Sequence, residues 1–228
     1  MTEGAAATQD PWAERAEERA AMVATQLAAR DVSDQRVLAA MRRVPRHAFV
    51  PPELARHAYE DGPLPIGHGQ TISQPYVVAR MVQAALPRPG GRVLEVGAGC
   101  GYQTAVLAEL AAEVVALEIV PELAEDCAQR LAALGCPARV LCADGGAGHA
   151  AGAPWDAVVV AAAPPSVPAA LVDQLAPGGR LVLPVGEADQ RLIAVRREGE
   201  GVRVQELFPV RFVPLTGAAF RADGGPLS

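Results

Sequence analysis

No apolar run in the sequence approaches the roughly 18 residues that cross a bilayer, and Met1 to Asp10 has neither the basic nor the apolar region of a secretory signal. A soluble, cytoplasmic protein with no membrane partner is therefore expected. No cluster of lysine or arginine interrupts a net charge of −6, so nucleic acid is not expected as a partner. The four cysteines, Cys100, Cys127, Cys136 and Cys142, form no Cys-x-x-Cys pair and have no histidine at zinc-ligand spacing. Small buried thiols in a reducing compartment are the expectation, with no metal site. Nothing in the sequence signals oligomerisation, and a monomer is expected.

What is present is 228 residues, 50% of them hydrophobic, enough chain for one domain with a large core. The expected organisation is a disordered tail over residues 1–10, a single domain over 11–220 and a loose tail over 221–228. Within the domain, residues 11–90 supply N-terminal helices and a substrate loop, and residues 91–220 a cofactor-binding sheet.

The most informative stretch runs from Val93 to Tyr102, Val-Leu-Glu-Val-Gly-Ala-Gly-Cys-Gly-Tyr. It reads as a buried parallel strand, then a turn with glycine at alternate positions, Gly97, Gly99 and Gly101, then an amphipathic helix. Such a turn is expected to present free backbone N–H groups and a helix N-terminus to an anionic ligand group. A dinucleotide fingerprint wants its third glycine where Tyr102 stands, which counts against NAD and FAD. The next strand, Glu113 to Glu118, ends in a carboxylate placed to bind the two hydroxyls of a ribose. A third short strand, Arg139 to Cys142, runs into Asp144-Gly145, where the carboxylate is placed to accept from an exocyclic amine such as that of adenine. An ordinary Asp-Gly turn is the alternative. With strands at Trp155 to Val160 and Arg180 to Val185 and an antiparallel pair after them, the pattern is a doubly wound, mostly parallel α/β sheet of Rossmann-like type.

Ahead of this sheet, Pro11 to Arg30 reads as a helix with a polar face, and a second helix starts at Ser33 or Asp34 and stops at Pro45. Gly62 to Pro75 is too rich in glycine and proline for a long helix or central strand and reads as a shaped loop. Its His68, between two glycines, is either a backbone hydrogen-bonding residue or a chemical one. Ser73 stands just before the next helical stripe. From spacing alone it is an N-cap, its hydroxyl accepting from a backbone N–H two or three residues on.

Five segments taken together, Pro65 to Ser73, Val93 to Tyr102, Trp155 to Val160, Pro177 to Gly186 and Arg211 to Gly217, resemble the protein-L-isoaspartate O-methyltransferase family. The resemblance runs from about Pro45 to Gly217. It implies a seven-stranded S-adenosyl-L-methionine-dependent methyltransferase fold whose last two strands are rearranged, with S-adenosyl-L-homocysteine as product. The implied activity is methyl esterification of the free carboxylate of L-isoaspartyl residues in damaged proteins and peptides. The family's active-site serine falls on Ser73, reversing the preference for a cap, although one residue can serve both purposes. Its cofactor contacts fall on Gln70, Thr71 and Ile72 with Ser73, on Gly97 within the glycine turn, on Glu118, and on Asp144 with Gly145, with Thr216 near the site. Ala143 departs from the glycine usual in the family, and a methyl there crowds the adenine. Esterification of a designated aspartate in a biosynthetic peptide by the same fold is the alternative activity, and cofactor binding without catalysis a further one.

Overall fold

The chain opens with two helices, one irregular and one conventionally capped. In the computed structural model, which describes residues 10–218, α1 (Ala16–Met22) passes directly into a π-helical turn at Val23–Ala28. The helix expected from Pro11 begins later because Arg15 sits in the left-handed region at φ 49, which a regular helix does not accommodate. α2 (Gln35–Arg43) starts at Asp34, whose carboxylate accepts from the amides of Arg36 and Val37 and so satisfies two N–H groups that the first turn leaves without partners. The tails expected at either end lie outside the described residues, apart from Asp10.

The glycine- and proline-rich stretch is more ordered than a loop. It contains a small hairpin, β1 (Leu64–Gly67) and β2 (Gln70–Ile72), separate from the main sheet. His68 and Gly69 make the turn at φ 51 and 70, and two successive positive-φ residues are what a two-residue hairpin connection demands. His68 thus has a conformational task, and its side chain is exposed. α3 (Pro75–Ala85) follows at once, with proline in its first turn where a missing N–H costs nothing.

The remainder alternates: β3 (Arg92–Val96), α4 (Tyr102–Ala108), β4 (Glu113–Glu118), α5 (Pro121–Ala133), β5 (Arg139–Cys142), β6 (Trp155–Val160), α6 (Ala169–Asp173), β7 (Leu175–Val185), β8 (Gln190–Glu198) and β9 (Gly201–Val210). The order across the sheet is β5-β4-β3-β6-β7-β8-β9, parallel through β7 and antiparallel beyond it. β3 and β6, buried along almost their whole length, lie towards the middle of the sheet, where both faces are covered. Alternate residues serve opposite cores: Val93, Val114 and Val159 pack with the N-terminal helices and α3, whereas Leu94, Val115 and Val158 pack with Trp155, Leu171 and Leu175. β7 begins earlier than its apolar run, taking in Pro177-Gly178-Gly179 as an irregularity in its pairing with β6. After β9 the chain crosses back to β6, held by Ala163 N to Val213 O and Leu215 N to Ala163 O, both 2.8 Å.

One side chain breaks the apolar rule in β3. Glu95 is fully buried, accepting from Thr104 Oγ1 at 2.5 Å and Gln103 Nε2 at 3.0 Å on α4. Burial pushes its carboxyl up from the usual range to about 7, against the opposing pull of the Thr104 and Gln103 hydrogen bonds. A carboxyl raised on folding stabilises the native state at low pH and loses that contribution as pH rises through the folded value. Replacing Glu95 with Gln, which stays neutral, should therefore produce a protein whose stability relative to the parent increases between pH 5 and pH 8. Denaturant melts at several pH values measure it, and a pH-independent difference would contradict the assignment.

Candidate active site

The carboxyl ends of β3, β4 and β6 meet beneath the hairpin, and the glycine turn after β3 sets their geometry. Gly97, Gly99 and Gly101 lie at φ 84, 54 and 91, a region that side chains enter only with strain. Their surroundings differ. A Cβ on Gly99 would lie 3.3 Å from Ile66 of the hairpin, and one on Gly101 would lie 2.9 Å from Cys127 Sγ on α5. A side chain on Gly99 would press on Ile66 of the hairpin, and one on Gly101 would push Cys127 and Leu131 of α5 away from the turn. Gly101 does not line the cavity, which limits it to packing.

The turn's amides are not held out for an anion, contrary to the expectation from sequence. Gly97 N and Ala98 N both donate to Leu117 O, at 2.8 and 3.0 Å, and Gly101 N donates to Ala98 O at 2.9 Å. Gly99 N donates to Glu118 Oε2 at 2.8 Å. The turn is wound back onto β4, so these donors are spent inside the protein. Glu118, only 6% exposed, accepts from Val120 N at 3.0 Å with its other oxygen. A carboxylate has about four lone-pair directions, so each oxygen retains acceptor capacity toward the cavity that Glu118 lines.

That cavity has a volume of about 610 Å³, within the roughly 300–1,000 Å³ of small-molecule sites. It brings together Gln70, Thr71, Ile72 and Ser73 from the hairpin side, Gly97, Gly99 and Glu118 from the strand ends, and Gly145 and Thr216 from later in the chain. Gly145 is tightly constrained, since a Cβ there would come within 2.3 Å of Val96 Cγ1. Ala143, a neighbour on the same wall, does carry its methyl.

Two expectations need correcting. Asp144 does not line the cavity. Its oxygens accept from Gly146 N at 2.9 Å and Ala218 N at 2.7 Å, so the carboxylate ties the returning C-terminal segment to the end of β5. Ser73 caps nothing: the residue at the N-cap of α3 is Gln74, and no side chain makes a capping bond there. Among the described residues the Ser73 hydroxyl has no hydrogen-bond partner, and Ser73 lines the cavity.

The cavity is also lined by residues not singled out from sequence, including Glu95, Ile119, Arg30, Tyr76 and Phe208. Glu95 had a readable signal, a lone carboxylate inside an apolar strand. The others come from elements far apart in sequence. Cys100 is buried, and burial raises its thiol above the usual range, the opposite of what a nucleophile needs. Among the described residues no group of three or more histidine, cysteine or carboxylate side chains is disposed to hold a metal.

The protein-L-isoaspartate(D-aspartate) O-methyltransferase family model matches residues 17–219. The protein-L-isoaspartate O-methyltransferase of Gloeobacter violaceus is 56% identical over 198 residues, 86% of this chain and 97% of its own. That of Methylorubrum extorquens is 52% identical over 216 residues, 94% of this chain and 95% of its own. Among solved structures, one from Plasmodium falciparum, described as a protein-L-isoaspartate O-methyltransferase in complex with S-adenosyl-L-homocysteine, covers 87% of this chain and 98% of its own at 25% identity with a TM-score of 0.76. Sequence and fold agree along nearly the whole described length, and the chain belongs to the protein-L-isoaspartate(D-aspartate) O-methyltransferase family.

Proposed function

We propose that the protein transfers the methyl group of S-adenosyl-L-methionine to the free carboxylate of L-isoaspartyl residues in damaged proteins and peptides, with Ser73 as the group that positions that carboxylate. The observation that carries the reading is the hydroxyl of Ser73, uncommitted to a helix cap and lining the cavity that Glu118 and the glycine turn also line. The reading includes a cytoplasmic monomer that works on proteins and peptides and has no nucleic-acid partner. Among the described residues no helix is long and apolar enough to cross a membrane.

The residues present fit this cofactor better than a dinucleotide. The amides of Gly97, Ala98, Gly99 and Gly101 are taken up by Leu117, Glu118 and Ala98, which leaves little to cradle a pyrophosphate, whereas Glu118 offers a carboxylate suited to two vicinal hydroxyls. In this proposal Gln70, Thr71, Ile72, Gly97, Gly99, Gly145 and Thr216 form the surrounding wall, and Asp144 acts on it through the segment that it anchors. When bound, the cofactor supplies a methyl group already electrophilic through its sulfonium.

The protein then has to supply alignment rather than a strong base. An aspartyl-type carboxylate has an ordinary pKa near 4 and is ionised, hence nucleophilic, at neutral pH. Ser73 donates its hydroxyl proton in a hydrogen bond to one carboxylate oxygen and leaves the other free to attack. Ile66 over Gly99 and the wall from Phe208 to Thr216 exclude water, which would otherwise solvate that oxygen. Such alignment is worth up to roughly 7–11 kcal/mol in favourable intramolecular cases. The ester formed has a better leaving group than the acid, so the adjacent amide nitrogen displaces methanol without help, giving a succinimide that reopens in part to normal aspartate.

The defining measurement is methyl transfer to two peptides that differ in one linkage. The isoaspartyl peptide should accept labelled methyl and the aspartyl peptide should not; equal labelling would remove the repair assignment. Ser73→Ala should lower kcat/KM by about 10- to 100-fold, as expected for a hydrogen bond to a charged group, while the melting temperature stays near that of the parent. Unchanged turnover per folded molecule would exclude Ser73 from the chemistry. Glu118→Gln, which retains an acceptor for Gly99 N, should weaken S-adenosylhomocysteine binding by about tenfold or more by calorimetry. Parental affinity in that variant would separate Glu118 from the ribose.

A further inference from the structure

The mouth of the cavity carries a cation for which the chemistry above has no use. Arg30, just beyond the turn that ends at Ala28, lines the cavity together with Ser73, Tyr76, Phe208 and Arg211. Its guanidinium carbon lies 3.3 Å from the centre of the Tyr76 ring, a stack that holds the planar group in one orientation. Tyr76 is itself fixed. Its hydroxyl donates to Asp31 Oδ1 at 2.5 Å and accepts from Arg80 Nη1 at 3.1 Å, and its ring lies 5.9 Å from Phe208.

The two arginines beside Tyr76 are in different electrostatic situations. Arg80 is mostly buried and paired with Asp31. Arg30 has one carboxylate partner among the described residues, Asp61 at 3.2 Å, and their side chains are 43% and 35% exposed. Exposed pairs hold weakly and exchange partners readily. A guanidinium has five donors, and the contact with Asp61 occupies a single nitrogen. The remaining fork has the geometry that takes a carboxylate through two parallel hydrogen bonds. Arg211 adds a second cation to the same wall, and the nearby carboxylates Asp31 and Asp61 are already engaged with Arg80 and Arg30.

The position suits a neighbour of the reacting residue rather than the reacting residue itself. Tyr76, the platform for Arg30, follows Ser73 by three positions, a backbone span of at most roughly 10 Å. An extended peptide advances about 3.3 Å per residue, so side chains within about three residues of the isoaspartyl group reach this region.

We propose that Arg30 is a specificity-determining residue that favours isoaspartyl segments bearing an acidic side chain within about three residues of the damaged position. The proposal rests on the repair reading above and adds a preference to it. The test uses the whole protein and three peptides with the same isoaspartyl core, flanked within three residues by Glu, Gln or Lys, and an aspartyl control. The parent should rank them Glu over Gln over Lys in kcat/KM. The Glu-to-Gln ratio should be about three- to tenfold, reside mainly in KM and shrink as salt is raised. Arg30→Gln should bring that ratio to about one, and Arg30→Lys should restore part of it, since the charge persists without the fork. Each ratio is taken within one preparation, so loss of folded protein cancels. A parental ratio of one, or a ratio that survives Arg30→Gln, overturns the proposal. Absence of label on every isoaspartyl peptide would sink the repair reading and this preference with it.

Discussion

The Glu118 carboxylate holds the two chain segments that form the floor of the cavity. One oxygen takes the Gly99 amide and the other the Val120 amide, so a single buried side chain at the end of β4 fixes both the turn after β3 and the chain leaving β4. Charge-assisted hydrogen bonds of this kind are stronger than neutral ones, and burial at 6% exposure reduces screening. The turn is consequently drawn onto β4, with Gly97 and Ala98 both bonded to Leu117. A glycine-rich turn that spends its amides this way is poorly equipped for phosphates. Its residual polarity is that of a carboxylate with spare lone pairs, which matches hydroxyl groups.

The parts of the molecule governed by short-range pattern were readable from the sequence. β3 and β6 are apolar runs of strand length, and in a parallel sheet such runs occupy the centre. The alternation of Val93 and Leu94 between two cores follows from the strand period of two. Asp34 as a cap is equally local. The second partner of the Asp144 carboxylate, Ala218 N, is distant in sequence, and no spacing rule anticipates a contact of that kind. For Ser73, spacing alone suggests a cap and the resemblance an active-site serine, and no side chain caps α3. Pro75 in the first turn of α3 moves the cap position to Gln74, a shift of one residue that separates a structural hydroxyl from a free one. The hairpin eluded a reading based on glycine and proline content because those residues, together with His68, supply its turn and its irregular pairing. Arg30 had no local signal at all: its meaning comes from Tyr76, on another helix.

The N-terminal segment contributes more to the site than cover. Arg46 is fully buried and makes no ion pair among the described residues; it donates to Ala58 O at 2.7 Å and Gly62 O at 3.4 Å, with its guanidinium carbon 4.9 Å from the Tyr102 ring centre. Burial lowers its pKa, a measure of how much solvation it forgoes. Carbonyl oxygens and an aromatic face offset that loss in part. Arg19 repeats the arrangement, donating to Trp12 O, Glu14 O and Arg42 O at 2.7, 3.0 and 2.6 Å. Such groups are costly unless their partners stay in place, so each penalises movement of the segments it joins.

For Arg46 those segments are the two halves of the site. Gly62 lies two residues before the hairpin, and Tyr102 is the first residue of α4, directly after the glycine turn. The hairpin in turn rests Ile66 on Gly99 and leads through Ile72 to Ser73. A chain of contacts therefore runs from Ser73 through the hairpin to Gly62, across Arg46 to Tyr102, and back through Gly99 to Glu118. Methyl transfer tolerates little error in the line joining nucleophile, carbon and leaving group. Ser73 and Glu118, the groups proposed for the substrate and the cofactor, come from separate structural units, and Arg46 bridges those units with a buried group whose movement would forfeit its bonds to Ala58 O and Gly62 O.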